Sequence, residues 1–188
     1  MIIIKGRVMR VVSGSARGTK LDSIDSLSTR PTQDRVKESL FNIIFDEVYD
    51  SNFLDLFAGS GAVGIEALSR GAEKVIFVEN DFKALQVLKK NILLAKYEEA
   101  SNIYSIDVLR YLRDVQNKFD IIFLDPPYMD NYYNKVLDLI IERDILVQNG
   151  LVIVESKKNT LFLQESSLFL MEKEKTYGKT TVTYLRKK

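Results

Sequence analysis

The stretch Phe53 to Gly64, read FLDLFAGSGAVG, constrains this chain more than any other part of it. An apolar run (Phe53, Leu54, Leu56, Phe57) carries one acid, Asp55, breaks into Gly59-Ser60-Gly61 and resumes with amphipathic spacing at Ile65, Ala67 and Leu68. That pattern predicts a strand, a tight turn and a helix start. Glycine suits such a turn because the backbone angles exclude most side chains and because a ligand can approach where no Cβ intervenes. The first N–H groups of the helix then face the gap. The spacing Gly59-x-Gly61-x-x-Gly64, with Glu79 about 20 residues further on, formally matches a dinucleotide fingerprint. Glycines after a buried strand also serve packing alone, however. Asp55 just upstream would repel a pyrophosphate and suits a ligand bearing an ammonium or sulfonium group.

A second constellation follows the apolar run Ile121-Ile122-Phe123-Leu124: Asp125-Pro126-Pro127-Tyr128. Two successive prolines at a strand end fix φ, remove two N–H donors and leave carbonyls free to accept hydrogen bonds. With a carboxylate before them and an aromatic face after them, the site fits a flat base bearing an exocyclic amine. Asp125 and the Pro126 carbonyl would accept from the amine, and Tyr128 would stack on the base, unless it is an ordinary core tyrosine.

The rest of the chain alternates strands with helices. Val36, Leu40, Ile43 and Ile44 mark one apolar face of a helix over 33 to 46, with Thr32 as its N-cap and with Arg35 and Lys37 off that face. Val75 to Val78 predicts a strand ending at Glu79-Asn80-Asp81, where Glu79 can accept both hydroxyls of a ribose and Asp81 can cap the next helix. That helix shows Phe82, Leu85, Leu88, Ile92 and Ala95 as its core face. A strand over 103 to 106 leads to Asp107, then comes a helix over 108 to 113. Asp120 opens the strand before Asp125, and a helix at Val136, Leu137 and Ile140 precedes a strand over 151 to 155. The tail alternates about Tyr177-Gly178 as a hairpin, which disposes of Gly178-Lys179-Thr180 as a P-loop imitation. The expected fold class is α/β, a doubly wound, mostly parallel sheet with its ligand crevice at the carboxyl ends of the strands. Asp55, Gly59, Glu79, Asp107 and Asp125 all fall at such ends.

Absences narrow the chemistry. The chain has 188 residues, no Cys and no His, so it can hold no disulfide, no Cys/His zinc site, no Ser-His-Asp triad and no thiolate nucleophile. One domain of this size buries about 70% of its unfolded surface, and no linker or repeat argues for two. Met1 to Ile4 is too short an apolar run for a signal core, which leaves a cytoplasmic expectation. Net charge is only +1, yet residues 1 to 20 hold five cations and no acid, leaving −4 for the remainder. Alternation around Ser13-Gly14 and Arg17-Gly18 predicts a short basic strand pair over 7 to 21. Its Arg10, Arg17 and Lys20 fit RNA phosphates, or else the charged edge that prevents strand addition.

Taken together, these motifs resemble the S-adenosylmethionine-dependent amino methyltransferases of nucleic acids, marked by (Asp/Asn/Ser)-Pro-Pro-(Tyr/Phe/Trp). VMRVVSGSARGTKL at the start, RPTQDRVKESLFNII at 30 to 44, LDLFAGSGAVGIEALSRGA at 54 to 72 and LVIVES at 151 to 156 extend the likeness over nearly the whole chain, in the order found in the bacterial RsmD family. The resemblance implies a Rossmann-like class I methyltransferase fold, with a seven-stranded sheet closed by a C-terminal antiparallel hairpin. It implies a single domain over 1–188 with residues 1–30 as a basic arm contacting RNA. It also implies methyl transfer from S-adenosylmethionine to the N2 amine of one guanine in 16S ribosomal RNA. The cofactor would meet Asp55, Phe57, Gly59, Gly61, Glu79, Asn80, Asp107 and Val108, with Asp107 at the adenine amine unless it only caps its helix. Asp125, Pro126, Pro127 and Tyr128 would carry the chemistry. Arg10, Arg17, Lys20, Arg30 and Arg35 would contact RNA, the last two near Thr32 at the cofactor or RNA. No metal and no membrane are expected, the partner is 16S rRNA or the small subunit, and the protein is expected to be a monomer. The four-residue motif alone leaves an adenine-N6 methyltransferase open. The glycine spacing alone leaves an NAD-dependent oxidoreductase, and the basic arm alone a non-catalytic RNA-binding module.

Overall fold

A computed structural model describes residues 9–24, 31–126, 132–160 and 168–188; Arg30, Pro127 and Tyr128 lie outside the described residues. In chain order the elements are β1 (Met9–Arg10), β2 (Lys20–Leu21), α1 (Pro31–Ile43), α2 (Phe45–Val48), β3 (Asn52–Leu56), α3 (Ala62–Ser69), β4 (Lys74–Glu79) and α4 (Phe82–Ala95). Then follow β5 (Ser101–Ser105), α5 (Val108–Asp114), β6 (Phe119–Leu124), α6 (Tyr132–Glu142), β7 (Leu146–Lys157), β8 (Phe169–Tyr177) and β9 (Thr180–Lys187). Helix α1 starts at Pro31, so Thr32 lies inside its first turn rather than before it; a ring-fixed φ makes proline a natural opening residue.

Seven strands form one sheet in the order β5-β4-β3-β6-β7-β9-β8. The pairs β3–β4, β3–β6, β4–β5 and β6–β7 are parallel, while β9 runs antiparallel to both β7 and β8. This is the seven-stranded sheet with a closing antiparallel hairpin that the resemblance implies. Chain order reverses at β3, where β4 leaves to one side and β6 enters on the other, opening a crevice at their carboxyl ends. Strict alternation assigns the strands' side chains to two cores: Phe53, Phe77, Phe123 and Ile153 face α1, α3 and α4, while Leu54, Val78, Leu124 and Val154 face α5 and α6. Burial on both faces is why β3, β4 and β6 read as continuous apolar runs. Phe82 departs from its expected place in the core: it opens α4 beyond the cover of the sheet and is 72% exposed, whereas Leu85, Leu88, Ile92 and Ala95 are buried.

The basic upstream segment is docked along α3 and α4. Its turn presses on the last turn of α3, where Ser15 N–H donates to the Ser69 carbonyl (2.7 Å) and Ala16 N–H to Ser69 Oγ (3.0 Å). Gly14, at φ +82°, has no room for a side chain, since a Cβ would lie 1.6 Å from the Ser69 carbonyl oxygen. Further along, the amide of buried Asn91 accepts from Asp22 N–H (2.7 Å) and donates to the carbonyls of Asp22 and Ser60 (2.9 Å each).

The strongest tether is Glu66, in the middle of α3 and fully buried. Its carboxylate accepts from Val12 N–H (2.8 Å), Ser13 N–H (3.0 Å) and Arg70 Nε (2.9 Å), with Lys37 Nζ at 3.2 Å. Lys37, expected off the apolar face of α1, is in fact buried, because it spans from α1 to this anion and to the Arg10 carbonyl (2.9 Å). Arg70 in turn lies over the ring of Phe41 at 5.0 Å. Removing one partner of such a group strands the others in a dry interior. Glu66→Ala is therefore expected to lower unfolding stability by about 3–5 kcal/mol in urea titrations and to expose the Val12 and Ser13 amides to hydrogen exchange; an unchanged midpoint and unchanged protection would show that the tether is not needed.

Candidate active site

The carboxyl ends of β3, β4, β5 and β6 enclose a cleft of ≈ 610 Å³, within the range of small-molecule sites. Its walls come from the β3–α3 turn (Phe57, Gly59), the end of β4 (Val78, Glu79, Asn80, Asp81), the start of α5 (Asp107, Val108) and the end of β6 (Asp125). Ile24, Ala84 and Tyr132 complete it.

Each wall has a local cause. Glu79 closes β4, and its carboxylate accepts from Gly59 N–H, Asn80 N–H and Asp81 N–H, each at 2.8 Å, so one acid shapes two loops while facing the cleft. Asp81 and Asp107 both cap helices, accepting from Ala84 N–H (2.8 Å) and Arg110 N–H (3.1 Å), and both also line the cleft. Capping commits one oxygen of each carboxylate to its helix and leaves the other for a further partner. The second oxygen of Asp107 accepts from the Tyr132 hydroxyl at 3.3 Å. Burial first, and then Asp107's charge, push that phenol up to about 12. Tyr132 also meets the Phe57 ring edge-on at 5.5 Å, closing the cleft across from β3.

The three glycines of the fingerprint do different work. Gly59 (φ +56°) is on the wall, and a Cβ there would meet only the Ile24 side chain at 3.6 Å and a carbonyl at 3.9 Å. Gly61 (φ +78°) points into the core instead, where a Cβ would lie 2.3 Å from Leu88, and Gly64 would press on Phe77 at 2.3 Å. Asp55 likewise lies beneath the turn, buried, accepting from Gly64 N–H at 2.9 Å. The structure thus places Asp55 and Gly61 behind the cleft and Phe57, Gly59, Glu79, Asn80, Asp107, Val108 and Asp125 on it.

Negative charge converges here. Burial pushes the Asp55 carboxyl up to about 7, the Gly64 N–H opposes this, and the charges of Asp125 and Glu79 add to it. Asp125 opens to the cleft, yet the protein packed around its carboxyl pushes it up to about 6. Pro126 behind it is buried. Among the described residues no group of three acids is placed to share a metal ion, and no helix is long and apolar enough to cross a membrane.

The candidate RNA-contacting residues are scattered. Arg10 and Lys20 are exposed on the paired β1 and β2, and Arg17 is exposed in the turn beside Ser69, at the end of α3 remote from the cleft. Arg35 is exposed one turn before Ser39, whose hydroxyl bonds the Tyr177 hydroxyl at the hairpin turn. That turn stands at the carboxyl end of β7, so Arg35 shares the edge of the sheet with the cleft. Sequence reasoning missed Tyr132 and Ile24 as cleft residues. Tyr132 carried a weak signal, an aromatic opening a helix just past the proline pair; Ile24 carried none, since only the docking of the upstream segment brings it to Gly59.

Comparison with known proteins places these features in a family. Residues 9–186 match the family described as Conserved hypothetical protein 95. The chain is 41% identical to the Ribosomal RNA small subunit methyltransferase D of Haemophilus influenzae, over 93% of this chain and 91% of that protein. It is 34% identical to the protein of the same name from Escherichia coli K12, over 90% and 85%. The solved structure of the Escherichia coli protein yhhF superposes with a TM-score of 0.87 at 30% identity, covering 97% of this chain and 99% of that one. A more distant structure, solved complexed with SAH, shares the fold at 17% identity and a TM-score of 0.66, covering 84% of this chain and 50% of that one. On the family match and these identities, the chain belongs to the RsmD family, that of the ribosomal RNA small subunit methyltransferases D.

Proposed function

We propose that the chain, working as one unit, transfers a methyl group from S-adenosylmethionine to the exocyclic N2 amine of a guanine in 16S ribosomal RNA of the small subunit. The observation that carries this proposal is Asp125, which opens at the end of β6 into the same cleft as the ribose-type acceptor Glu79 and the α5 start at Asp107 and Val108. A cleft of ≈ 610 Å³ has room for a nucleoside with an amino-acid arm. Glu79 would take the ribose hydroxyls, Asn80, Asp107 and Val108 would border the adenine, and Phe57 with Tyr132 would wall the remainder. Bound there, S-adenosylmethionine supplies an electrophilic methyl on a sulfonium, so no metal is required for activation.

The protein's own task is the acceptor. A purine amine has its lone pair drawn into the ring; Asp125 and the Pro126 carbonyl, by accepting its hydrogens, favour a pyramidal nitrogen and aim the lone pair at the methyl. Asp125 also stabilises the positive charge as it develops on nitrogen and would pass the proton that the methylated nitrogen then loses on to water; fixed groups of this kind are worth about 10²–10³-fold in rate. Tyr128 would stack on the extruded base, a contact worth about 1–3 kcal/mol. An unpaired guanine in a loop suits such a site best.

Incubation with 16S rRNA, and separately with small subunits, using a tritiated donor should yield N2-methylguanosine at one nucleotide; N6-methyladenosine instead would exclude guanine. Asp125→Ala should lower kcat by about 10²–10³-fold while the thermal shift with S-adenosylmethionine persists, and unchanged turnover would remove Asp125 from the chemistry.

A pH effect follows from the raised carboxyls. Asp55 and Asp125 ionise on passing about 7 and about 6, so the site grows more negative as pH rises from 5.5 to 8. A sulfonium should profit and a neutral thioether should not: the affinity of S-adenosylmethionine relative to S-adenosylhomocysteine is expected to rise several-fold over that interval in calorimetry. A flat ratio would place the sulfonium away from both acids.

Position separates the cations. Arg35→Ala, at the cleft edge, should raise KM for RNA and weaken its salt dependence more than Arg17→Ala, at the far end of α3; the reverse order would move the RNA to the upstream turn.

A further inference from the structure

Glu155 stands where the target base must come. The cofactor cleft spreads over β5, β4 and β3 and ends at Asp125 on β6, so a second molecule reaches Asp125 from the opposite flank, that of β7. Strand β7 is parallel to β6 with Val154 beside Leu124, which makes Glu155 the next rung beside Asp125. Leu124 and Val154 belong to the core facing α5 and α6, so the alternation turns the residues after them toward the opposite face, on which Phe123 and Ile153 lie. Glu155 is only half-buried, the charge of Asp125 acts on it directly, and no cation of the described residues neutralises it. The Glu155 carboxyl, at a strand end beside Asp125 and with no hydrogen-bond or ion-pair partner among the described residues, is available to a ligand.

We propose that Glu155 reads the Watson–Crick edge of the target guanine, accepting from N1–H and donating to O6 while Asp125 holds N2, and that it is the residue that selects guanine over adenine. This rests on the guanine-N2 function proposed above. Guanine presents O6, N1–H and N2–H₂ in a row, so a carboxyl beside the acceptor of N2 meets one donor and one acceptor. Adenine with its N6 amine at Asp125 presents N1, a bare acceptor, and then a C–H, which leaves the carboxyl oxygen unpaired. A site built around a hydrogen bond rejects an analogue that lacks it far more strongly than an apolar pocket rejects a change of shape. Burial, and then Asp125's charge, push the Glu155 carboxyl up to about 8, so at neutral pH it carries the proton that O6 would take.

Whichever of free 16S rRNA or small subunits is methylated serves as the substrate, rebuilt with guanine or with 2-aminopurine at the modified nucleotide. The second base keeps the N2 amine but lacks both N1–H and O6. Wild-type protein should favour guanine by about 10²-fold or more in kcat/KM. Glu155→Ala should lose about 10²-fold on guanine and nothing on 2-aminopurine, abolishing the preference. Glu155→Gln, whose amide offers the same donor and acceptor, should stay within about 10-fold of wild type on guanine. Full guanine activity in Glu155→Ala, or an equal loss on both bases, would overturn the assignment, the second result pointing to a packing role. Wild-type protein that makes no N2-methylguanosine at all would remove the guanine-N2 function and this assignment with it, whereas a failure confined to the variants removes the assignment alone.

Discussion

A carboxylate sealed from water, Glu66, holds the upstream part of this chain in place. Burying an anion is costly unless every lone pair is met, and here two backbone N–H groups, an arginine and a lysine meet it. Because those partners come from the upstream segment, α1 and α3, the anion fixes three pieces of chain at once. Ser69 and Asn91 then guide the segment onward along α3 and α4, and the segment delivers Ile24 to the wall opposite Gly59. The cleft is thus bounded partly by chain that precedes the sheet, and its outline depends on an interaction buried some distance away.

The glycine-rich turn shows why a spacing can recur without its usual ligand. A parallel strand entering a helix must turn tightly, and positive φ at Gly59 and Gly61 accomplishes that. The helix must then lie close on the sheet, which Gly64 permits by leaving Phe77 its space. Asp55 ties the two ends together by accepting from the Gly64 N–H. Only Gly59 of the three faces the cleft, and Asp55 occupies the inner side of the turn, a place ill suited to a pyrophosphate. Fold geometry accounts for two of the glycines, and ligand geometry need account for one.

Much of this was legible in the residues. The apolar runs marked each central strand, because a strand buried on both faces leaves no polar alternation to confuse it. Acids at strand ends marked the cleft edge, Asp125 of the Asp-Pro-Pro-Tyr stretch among them. What stayed hidden depended on long-range contact. Lys37 reads as a solvated helix residue until its anion on α3 is known, and Phe82 fits a core stripe until α4 is seen to start beyond the sheet. The basic segment reads as a short strand pair or RNA-contacting arm, since nothing local reveals that Glu66, Ser69 and Asn91 wait for its backbone. Arg17 and Arg35 both read as candidate RNA contacts, and only the direction of α1 and α3 sends them to different ends of the molecule.

The acids at the carboxyl edge carry a cost that also explains their arrangement. Asp55, Asp125 and Glu155 hold protons more tightly in the folded chain than in the unfolded one. Their ionisation therefore erodes stability as pH rises from about 4, through folded values of about 6 to 8. A nucleic-acid enzyme with three ionised carboxylates at its mouth would also repel its own substrate. Burial resolves both difficulties in part: it pushes all three carboxyls above the usual carboxylate range, so fewer of them are ionised near neutral pH than if they faced water. Had all three faced water, each would ionise near its ordinary value, and the edge would attract cations indiscriminately while holding phosphates away.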